Sequence, residues 1–385
     1  MKPLDNQLTL KFLFNAWFFS LILPLLLISD YDSYKEFSGN DFFAKLKFFF
    51  ISVFIIYVLF FLNTKENKFR IDINAHLIFI FFIFICILSS IWSINPFRTF
   101  VNSVLLFAFF LCFLKIKNII KYEELFAFLP LIILTTLITA ISVHGISGRF
   151  IGGNLPNDIG NFCFFGIFFS FFLKRKYLVF FFNIFFIGII LLINSRIYLL
   201  CSSLFYFTYF FLNKNIKKKN YIIILTIYFF GSLFLILNSY FQYIYQELLD
   251  FFKVFDENRG INSKFTGRID YWILGIELFK EKMFLGYGFR TRTGIDNDDI
   301  YLISSHSGFL NLIIDVGILG FTFFLITMIK SIKNKISFSN IGYNSLILSV
   351  IPSAILMLTF EPAHFFLGLP ITLLLILIII DLRLN

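Results

Sequence analysis

Long apolar runs, separated by short polar stretches, occupy almost the whole chain. A membrane span needs about 20 mostly apolar residues, and about twelve runs approach that length. The runs lie near residues 12–29, 46–63, 76–94, 99–114, 125–143, 157–173, 177–194, 197–212, 221–239, 306–329, 343–360 and 364–381. The first run lacks a small-residue cleavage pattern, so we expect it to remain as a helix. The pattern predicts an all-α, polytopic membrane protein with about twelve transmembrane helices.

Basic residues orient these helices, because the cytoplasmic loops of membrane proteins carry the excess of Lys and Arg. If the chain starts in the cytoplasm, its cytoplasmic pieces hold 19 of the 33 basic residues and only six of the 23 acidic ones. We therefore expect both termini in the cytoplasm and the chain in the inner membrane of a bacterium. The net charge of +10 is then explained by the basic cytoplasmic loops of a protein that lies among membrane lipids. No nucleic-acid partner is expected.

One loop is much longer than the others. Residues 240–305 separate the ninth and tenth predicted spans on the periplasmic side, and long loops in compact proteins usually carry function. Apolar residues at helical spacing between Phe241 and Phe255 predict one amphipathic helix. A second helix is expected from about Gly267, capped by Thr266, with an apolar stripe at Ile269, Trp272, Ile273, Ile276 and Phe279. We interpret residues 1–385 as a single integral-membrane domain that includes this loop.

Composition excludes an ordinary soluble protein. The chain is 59% apolar and 15% charged, whereas soluble domains are nearer half apolar and a quarter charged. The four cysteines lie inside apolar runs, which argues against a disulfide framework or a zinc site. The acidic stretch Asp296-Asn297-Asp298-Asp299 lacks calcium-loop spacing and is expected to form a solvated turn. No metal and no other cofactor is therefore predicted.

Two arginines on the outer side are candidate anion-binding residues. Arg196 lies in the tight turn between the seventh and eighth spans, at a depth where ionisable residues are costly and usually functional. The alternative is a guanidinium that extends to lipid headgroups. Arg268 opens the second loop helix, where a helix N-terminus and a bidentate guanidinium both attract phosphate. The alternative is a surface arginine paired with Asp270 or Glu277.

His306 is the candidate general base. It lies where the long loop enters the tenth span, and a partly desolvated histidine can be held neutral, as a base must be. A lone histidine can equally be structural. Asp315 would lie about 13 Å deeper and on the opposite face of the same helix. We expect Asp315 to pack against a neighbouring helix and not to partner His306.

Short motifs on the predicted outer side follow one another in a distinctive order. They are Trp92-Ser93-Ile94-Asn95-Pro96, Gly152-Gly153-Asn154-Leu155-Pro156-Asn157, Asn194-Ser195-Arg196, Gly267-Arg268 with Trp272 and Gly286-Tyr287-Gly288, and His306-Ser307 followed by Gly317 and Gly320. Together with the single long loop, these motifs resemble the O-antigen ligase and O-antigen polymerase superfamily of membrane glycan transferases. The resemblance covers nearly the whole chain, although each motif is short.

The resemblance implies transfer of a glycan from undecaprenyl pyrophosphate to a sugar hydroxyl at the periplasmic face. It implies that Arg196 and Arg268 bind the donor pyrophosphate, and that His306 accepts the proton of the attacking hydroxyl in an inverting displacement. Because pyrophosphate is a good leaving group, charge stabilisation, an oriented hydroxyl and one base are sufficient without a metal. We expect the three side chains to converge on one outward-facing cavity.

Two alternatives stay open beside an O-antigen ligase with lipid A-core as its acceptor. A repeat-unit polymerase would use the same chemistry with a second lipid-linked glycan as acceptor. A flippase for lipid-linked oligosaccharides is the alternative from another class. Transporters usually show internal repeats and broken helices at matching positions. The sequence shows no repeat and predicts no broken helix, which favours an enzyme.

Reporter fusions test the predicted orientation. A fusion after Lys219 or Lys335 should report a cytoplasmic position, and one near Asn297 should report a periplasmic position, because the basic loops stay inside. A cytoplasmic signal at Asn297 would contradict the predicted placement of the long loop and of every candidate residue beside it.

Overall fold

A computed structural model of the chain describes residues 3–27, 41–62, 75–117, 119–147, 150–151, 156–213, 268–291, 305, 307–337, 344–361 and 370–380. Within these ranges the regular structure is helical, apart from two paired two-residue strands at Ile146–Ser147 and Phe150–Ile151. A helix lies at every predicted span that falls on described residues, whereas the ninth, at 221–239, lies outside them. The predicted all-α class is confirmed for this part of the chain.

The helices follow the apolar runs closely. In chain order they are α1 (Pro3–Ile22), α2 (Pro24–Leu27), α3 (Asp41–Ile56, extended by a π-helical turn, Tyr57–Phe61), α4 (Ala75–Leu88, extended by a 3₁₀ turn, Ser89–Ile91), α5 (Pro96–Ile116), α6 (Tyr122–Phe126), α7 (Leu129–His144), α8 (Pro156–Ser170), α9 (Lys176–Leu192), α10 (Arg196–Asn213), α11 (Arg268–Glu281), α12 (Gly308–Ser337), α13 (Asn344–Phe360) and α14 (Pro370–Ile379).

Among the described residues, three helical segments are long and apolar enough to cross a membrane: Pro96–Ile116 (α5), Tyr122–His144 (α6 and α7 together) and Gly308–Ile336 (within α12). Other apolar helices in the same part of the chain have 10–17 residues and include Ala75–Ile91, Lys176–Leu192, Arg196–Leu212, Asn344–Phe360 and Pro370–Ile379. The chain is therefore a membrane protein. The number of spans and their orientation stay predictions.

The chain divides into two compact units, and the first takes residues 1–70, 108–209 and 367–385. Its core is an interlocked set of aromatic rings. Trp17 stacks on Phe54 with ring centroids 6.2 Å apart and meets Phe109 edge-on at 5.1 Å. Phe126 contacts Phe169 at 5.2 Å. These rings belong to α1, α3, α5, α6 and α8. Each such pair stabilises the fold by about 0.5–1.5 kcal/mol beyond the contribution of the apolar area that it buries.

Ion pairs mark one end of this first unit. The Lys11 ammonium lies 2.8 Å from the Glu124 carboxylate, and the Lys174 ammonium lies 3.8 Å from that of Glu123. Partly exposed pairs of this kind contribute at most about 1 kcal/mol. The two pairs are informative about topology, because all four residues belong to pieces of chain predicted to be cytoplasmic.

The second unit takes residues 71–107 and 210–366, and in it α12 packs against α4, α11 and α13. The second loop helix is present as α11, which confirms that prediction, but its apolar stripe is only partly right. Trp272 is buried as expected, whereas Ile273 is 51% exposed and Leu278 is buried in its place. A rotation of 100° per residue puts positions 272, 275 and 278 within one face, and 273 outside it. The buried cluster comprises Trp272, Leu278, Tyr287, Leu310 and Ile314.

Helix α12 is interrupted at Gly317, which has φ 65° and ψ −176°. The expectation of unbroken spans is therefore wrong at this position. Residues 282–290, which we call the strap, supply the missing bonds. The N–H of Ile318 donates to the carbonyl of Met283 at 2.8 Å, and the N–H of Leu319 donates to that of Phe284 at 3.4 Å.

The strap also donates to the first half of α12. The N–H of Tyr287 donates to the carbonyl of Ile314 at 3.0 Å, and the N–H of Gly288 donates to that of Asp315 at 2.9 Å. An unsatisfied backbone group costs several kcal/mol inside a bilayer, where no water can replace its partner. Because of these reciprocal bonds, a membrane helix can break without leaving backbone N–H and carbonyl groups unbonded. The same bonds fix the strap to α12.

Two glycines make this contact close. A Cβ at Gly317 would collide with the backbone carbonyl of Phe284, and one at Gly286 would lie 2.5 Å from that of Asp315. Both glycines have a positive φ, at 65° and 68°. The two segments therefore meet backbone to backbone with no room for side chains between them.

Gly317→Ala should destabilise the protein by about 2 kcal/mol or more, because alanine is strained at this φ and ψ and its methyl group meets a carbonyl. Thermal unfolding in detergent, followed by tryptophan fluorescence, should show a midpoint lower by several degrees. Gly188→Ala is the matched control, since Gly188 lies within helix α9 and an added Cβ there meets nothing within 4 Å. Equal midpoints for the two variants would contradict the role given to Gly317.

Candidate active site

The start of α12 is held by a buried hydrogen-bond network on both sides of His306. The N–H of Ser305 donates to Oδ1 of Asn311 at 2.9 Å, and the Ser305 hydroxyl donates to the same oxygen at 2.6 Å. The N–H of Asn311 donates to the carbonyl of Ser307 at 2.8 Å. These three residues are at most 3% exposed. His306 itself lies outside the described residues, but its neighbours on either side are fixed.

Helix α11 lies against this network. A Cβ at Gly275 would lie 2.7 Å from Cδ2 of Leu310 and 3.1 Å from Cβ of Ser305, so the absence of a side chain permits the approach. Arg268 begins the same helix two turns earlier, which is about 10 Å along the axis. The Arg268 side chain, and its alternative pairing with Asp270, lie outside the described part of the chain. The helix that carries Arg268 is thus anchored beside the neighbour of His306.

Arg196 is the first residue of α10 and belongs to the first unit, where its side chain is half-buried. The preceding Ser195 is 1% exposed, and its hydroxyl donates to Oδ1 of Asn157 at 3.4 Å. Asn194 has φ 51°, a left-handed conformation that non-glycine residues adopt chiefly where the surrounding structure imposes it. The predicted tight turn is therefore present, and it joins the first turns of α8 and α10.

Asp315 has a different role from the one expected. Its carboxylate is 1% exposed, and Oδ2 accepts the N–H of Arg290 at 3.2 Å. The same carboxylate interacts electrostatically with the guanidinium of Arg98. Arg290 has a left-handed φ of 59°, so the chain there needs an external partner. Asp315 holds the C-terminal end of the strap and does more than pack against a helix; a carboxylate inside an apolar run is the sequence signal for such a role.

The turn before α5, which is predicted to lie on the outer side, also contacts the strap. Oδ1 of Asn95 accepts the N–H of Arg98 at 3.2 Å, so Asn95 caps α5 and Pro96 occupies its first position. The indole N–H of Trp92 donates to the carbonyl of Leu285 at 3.2 Å. This motif therefore starts a helix and holds the strap from a second side.

Tyr287 is a buried residue of the strap that makes a polar contact with α11. Its hydroxyl donates to the carboxylate of Glu281, and the ammonium of Lys282 lies 4.5 Å from the centre of its ring. Burial, followed by the hydrogen bond to Glu281, raises the pKa of Tyr287. The phenol therefore stays protonated, and a donor, at physiological pH.

The predicted site residues divide between the two units. Arg196 belongs to the first unit, whereas the backbone of Arg268 and the neighbours of His306 belong to the second. The convergence of the three side chains on one cavity stays a prediction. Among the described residues, no group of three or more His, Cys, Asp or Glu side chains could hold a metal ion. Asp296, Asp298 and His306 lie outside that part, so metal independence also stays a prediction.

Sequence reasoning did not identify several residues that organise the site. Asn311 and Asp315 looked like ordinary polar residues of a span, and their importance comes from buried partners distant in sequence or on a preceding loop. A carboxylate inside an apolar run was the available signal for Asp315.

The chain was compared with known protein families. Residues 164–325 match the family described as O-antigen ligase. The matched range contains Arg196, Arg268, His306 and Gly317, and it confirms the superfamily that the motifs indicated. No curated protein matches the chain, and no solved structure matches it either.

Asp315→Ala should free the end of the strap, because the N–H of Arg290 loses its acceptor. Amide exchange in a peptide that covers residues 283–291 should accelerate by about tenfold or more, as expected for loss of a hydrogen bond to a charged group. Asp315→Asn retains an acceptor oxygen and should exchange close to wild-type rates. A peptide from α13 is the internal control. Equal acceleration in both variants would show that charge, and not the hydrogen bond, holds the strap.

Proposed function

We propose, since residues 164–325 carry an O-antigen ligase domain, that this membrane protein transfers a glycan from undecaprenyl pyrophosphate to a sugar hydroxyl at the periplasmic face of the inner membrane. The domain supports glycan transfer of the O-antigen ligase or polymerase type. The lipid-linked donor, the acceptor and the catalytic steps are our proposal.

One observation carries the proposal furthest. The buried network of Ser305, Ser307 and Asn311 fixes the backbone on both sides of His306, inside the matched domain. A base that removes a proton from a sugar hydroxyl must be oriented toward it, because misplacement loses much of the rate. A histidine that served only as an exposed loop residue would not need this buried support.

The proposed reaction is a direct displacement. His306 accepts the proton of the acceptor hydroxyl while that oxygen forms a bond to the anomeric carbon of the donor. The bond from that carbon to the pyrophosphate oxygen breaks, and its electron pair stays on the pyrophosphate. Arg196 and Arg268 bind the pyrophosphate and stabilise the charge that develops there. The anomeric configuration inverts, and the reaction needs no metal.

About twelve spans with both termini in the cytoplasm complete the proposal, with residues 240–305 on the periplasmic side. The ion pairs of the first unit support this orientation, because they join pieces of chain predicted to be cytoplasmic. Contacts between predicted periplasmic pieces agree with it. The ring Nε2 of His144 lies 2.7 Å from the carbonyl of Leu26, and Ser195 bonds to Asn157.

The acceptor substrate distinguishes an O-antigen ligase from a polymerase. A ligase would use lipid A-core, and a polymerase would use a second lipid-linked glycan. The matched family supports transfer of either type. A broken helix is a feature expected of a flippase, and α12 is broken at Gly317. The strap, however, supplies the hydrogen-bond partners at this break. The matched domain supports glycan transfer and not transport.

Substitution of the three proposed residues tests the mechanism with purified protein, a lipid-linked donor and each acceptor in turn. His306→Ala should lower transfer by about 10²- to 10⁴-fold and leave donor binding largely intact, because the base acts on the acceptor. Arg196→Ala and Arg268→Ala should weaken both donor binding and turnover. Arg→Lys should rescue either site poorly if the guanidinium binds in a bidentate manner.

Arg175→Ala is the matched control, since Arg175 is exposed and lies on the predicted cytoplasmic side. It should transfer glycan at the wild-type rate. Near-normal transfer by His306→Ala, at equal amounts of folded protein, would exclude His306 as the base. Failure of the wild-type protein with both acceptors would exclude the proposed activity.

A further inference from the structure

The strap exposes three consecutive apolar side chains. They are Met283, Phe284 and Leu285, and the Phe284 side chain is 72% exposed. A run of exposed apolar neighbours on a water-facing surface is unfavourable unless it has a function. Lys280 and Lys282 lie just before this run and are also exposed. The surface therefore changes from charged to apolar within a few residues.

The turn before α5 extends this apolar surface. The indole N–H of Trp92 donates to the carbonyl of Leu285 at 3.2 Å, so the turn lies beside the strap. Ile91 and Ile94 flank Trp92 and are exposed, and Phe97 in the first turn of α5 is 80% exposed. The six exposed side chains, which we call the apolar patch, are Ile91, Ile94, Phe97, Met283, Phe284 and Leu285. Its two phenyl rings alone expose an area on the order of a few hundred Å².

The apolar patch continues onto a stripe of α5. Phe97, Phe100 and Val104 are all exposed, and a rotation of 100° per residue puts them within about 60° of one another. Helix α5 is one of the segments that are long and apolar enough to cross a membrane. An exposed apolar stripe on a membrane-crossing helix faces lipid.

The patch also continues onto α12. The strap bonds to the N–H groups of Ile318 and Leu319, and the side chains of both residues are exposed. Ile326 and Ile329 are exposed further along α12, within about 80° of Ile318 around the helix axis. This part of α12 is again long and apolar enough to cross a membrane. The strap therefore connects the exposed apolar stripes of two membrane-capable helices, and all of these contacts lie within the second unit.

The backbone of the strap is suited to a position next to lipid. The carbonyls of residues 282–285 all accept hydrogen bonds, from the N–H of Gly286, from two N–H groups of α12 and from the indole of Trp92. Irregular backbone beside lipid is tolerated where protein satisfies its polar groups. Tryptophan is common at the membrane–water interface, and lysine can extend its ammonium from there to water.

We propose that the apolar patch inserts among the acyl chains of the membrane leaflet, so that the strap anchors the long loop at the membrane interface. The occupant is membrane lipid and not a second copy of the chain, because the patch is continuous with the apolar stripes of α5 and α12. Lys280 and Lys282 mark the level of the lipid headgroups. This inference is independent of glycan transfer. It places part of the predicted periplasmic loop, residues 240–305, in lipid and holds α11 at the membrane surface.

Fluorescence quenching of single labelled positions tests this placement in the full-length protein. The protein is placed in nanodiscs of phosphatidylethanolamine and phosphatidylglycerol, which leave both membrane faces accessible. Its four cysteines are buried, so a cysteine introduced at the surface takes a fluorophore selectively; the native ones are Cys86, Cys112, Cys163 and Cys201. The two quenchers are aqueous iodide and a phospholipid that carries a nitroxide on the upper part of its acyl chain.

A label at Phe284→Cys should be quenched by the nitroxide lipid. Its quenching constant for iodide should be at least about fivefold lower than that of a label at Glu277→Cys, because an inserted side chain is shielded from water. Glu277 is the matched control, since it is exposed on α11 of the same loop. Ile326→Cys on α12 is the reference for a lipid-facing position. Phe97→Cys approaches the patch from α5 and should behave like Phe284→Cys, so the test does not depend on one variant.

Each other outcome would overturn the inference. Iodide quenching at Phe284→Cys as strong as that at Glu277→Cys would place the patch in water. Quenching by neither reagent, while the lipid still quenches Ile326→Cys, would show that protein covers the patch, and light scattering would then identify a second copy of the chain. Lipid quenching at only one of Phe284→Cys and Phe97→Cys would contradict a continuous patch.

Discussion

A backbone group within a bilayer has no water to bond, and this constraint organises the second unit. Helix α12 breaks at Gly317, and a break there is tolerable only because another segment supplies the missing partners. The strap supplies them with its own carbonyls and N–H groups. Asp315 and Trp92 then bind the strap from two neighbouring segments, and Tyr287 of the strap bonds to Glu281 of α11. The loop helix α11 and the start of α12 owe their mutual position to this joint.

Much of the fold was predictable because hydrophobic length is a strong local signal. The apolar runs located a helix at every predicted span that the described residues cover. The loop helix beginning near Gly267 was also visible, as a periodic stripe with a capping residue before it. Ile273 was assigned to the wrong face, because periodicity over so few turns does not fix the rotation of a helix. The break at Gly317 was missed, since a single glycine inside an apolar run gives no sign of the segment that bonds to it.

Candidate site residues could be proposed from the sequence where one residue type carries the chemistry, and their roles stay predictions. Arginine and histidine at the ends of spans stand out in an apolar chain, and the family match covers Arg196, Arg268 and His306. The supporting residues were not predictable. Asn311 acts through a buried network with two serines, and Asp315 acts through the backbone of Arg290 on a preceding loop. Such partnerships depend on tertiary packing, which no single run of sequence records.

The joint between the strap and α12 also determines how sequences of this kind can diverge. A side chain at Gly317 or at Gly286 would meet backbone of the opposite segment, so neither position accepts a single substitution without displacing both segments. Ile318 and Leu319, which are 42% and 45% exposed, can exchange with other apolar residues. An insertion between α11 and Gly286 would shift the register of the strap against α12 and leave backbone groups unbonded. Changes in loop length should therefore accumulate before α11 or beyond the strap, and not within it.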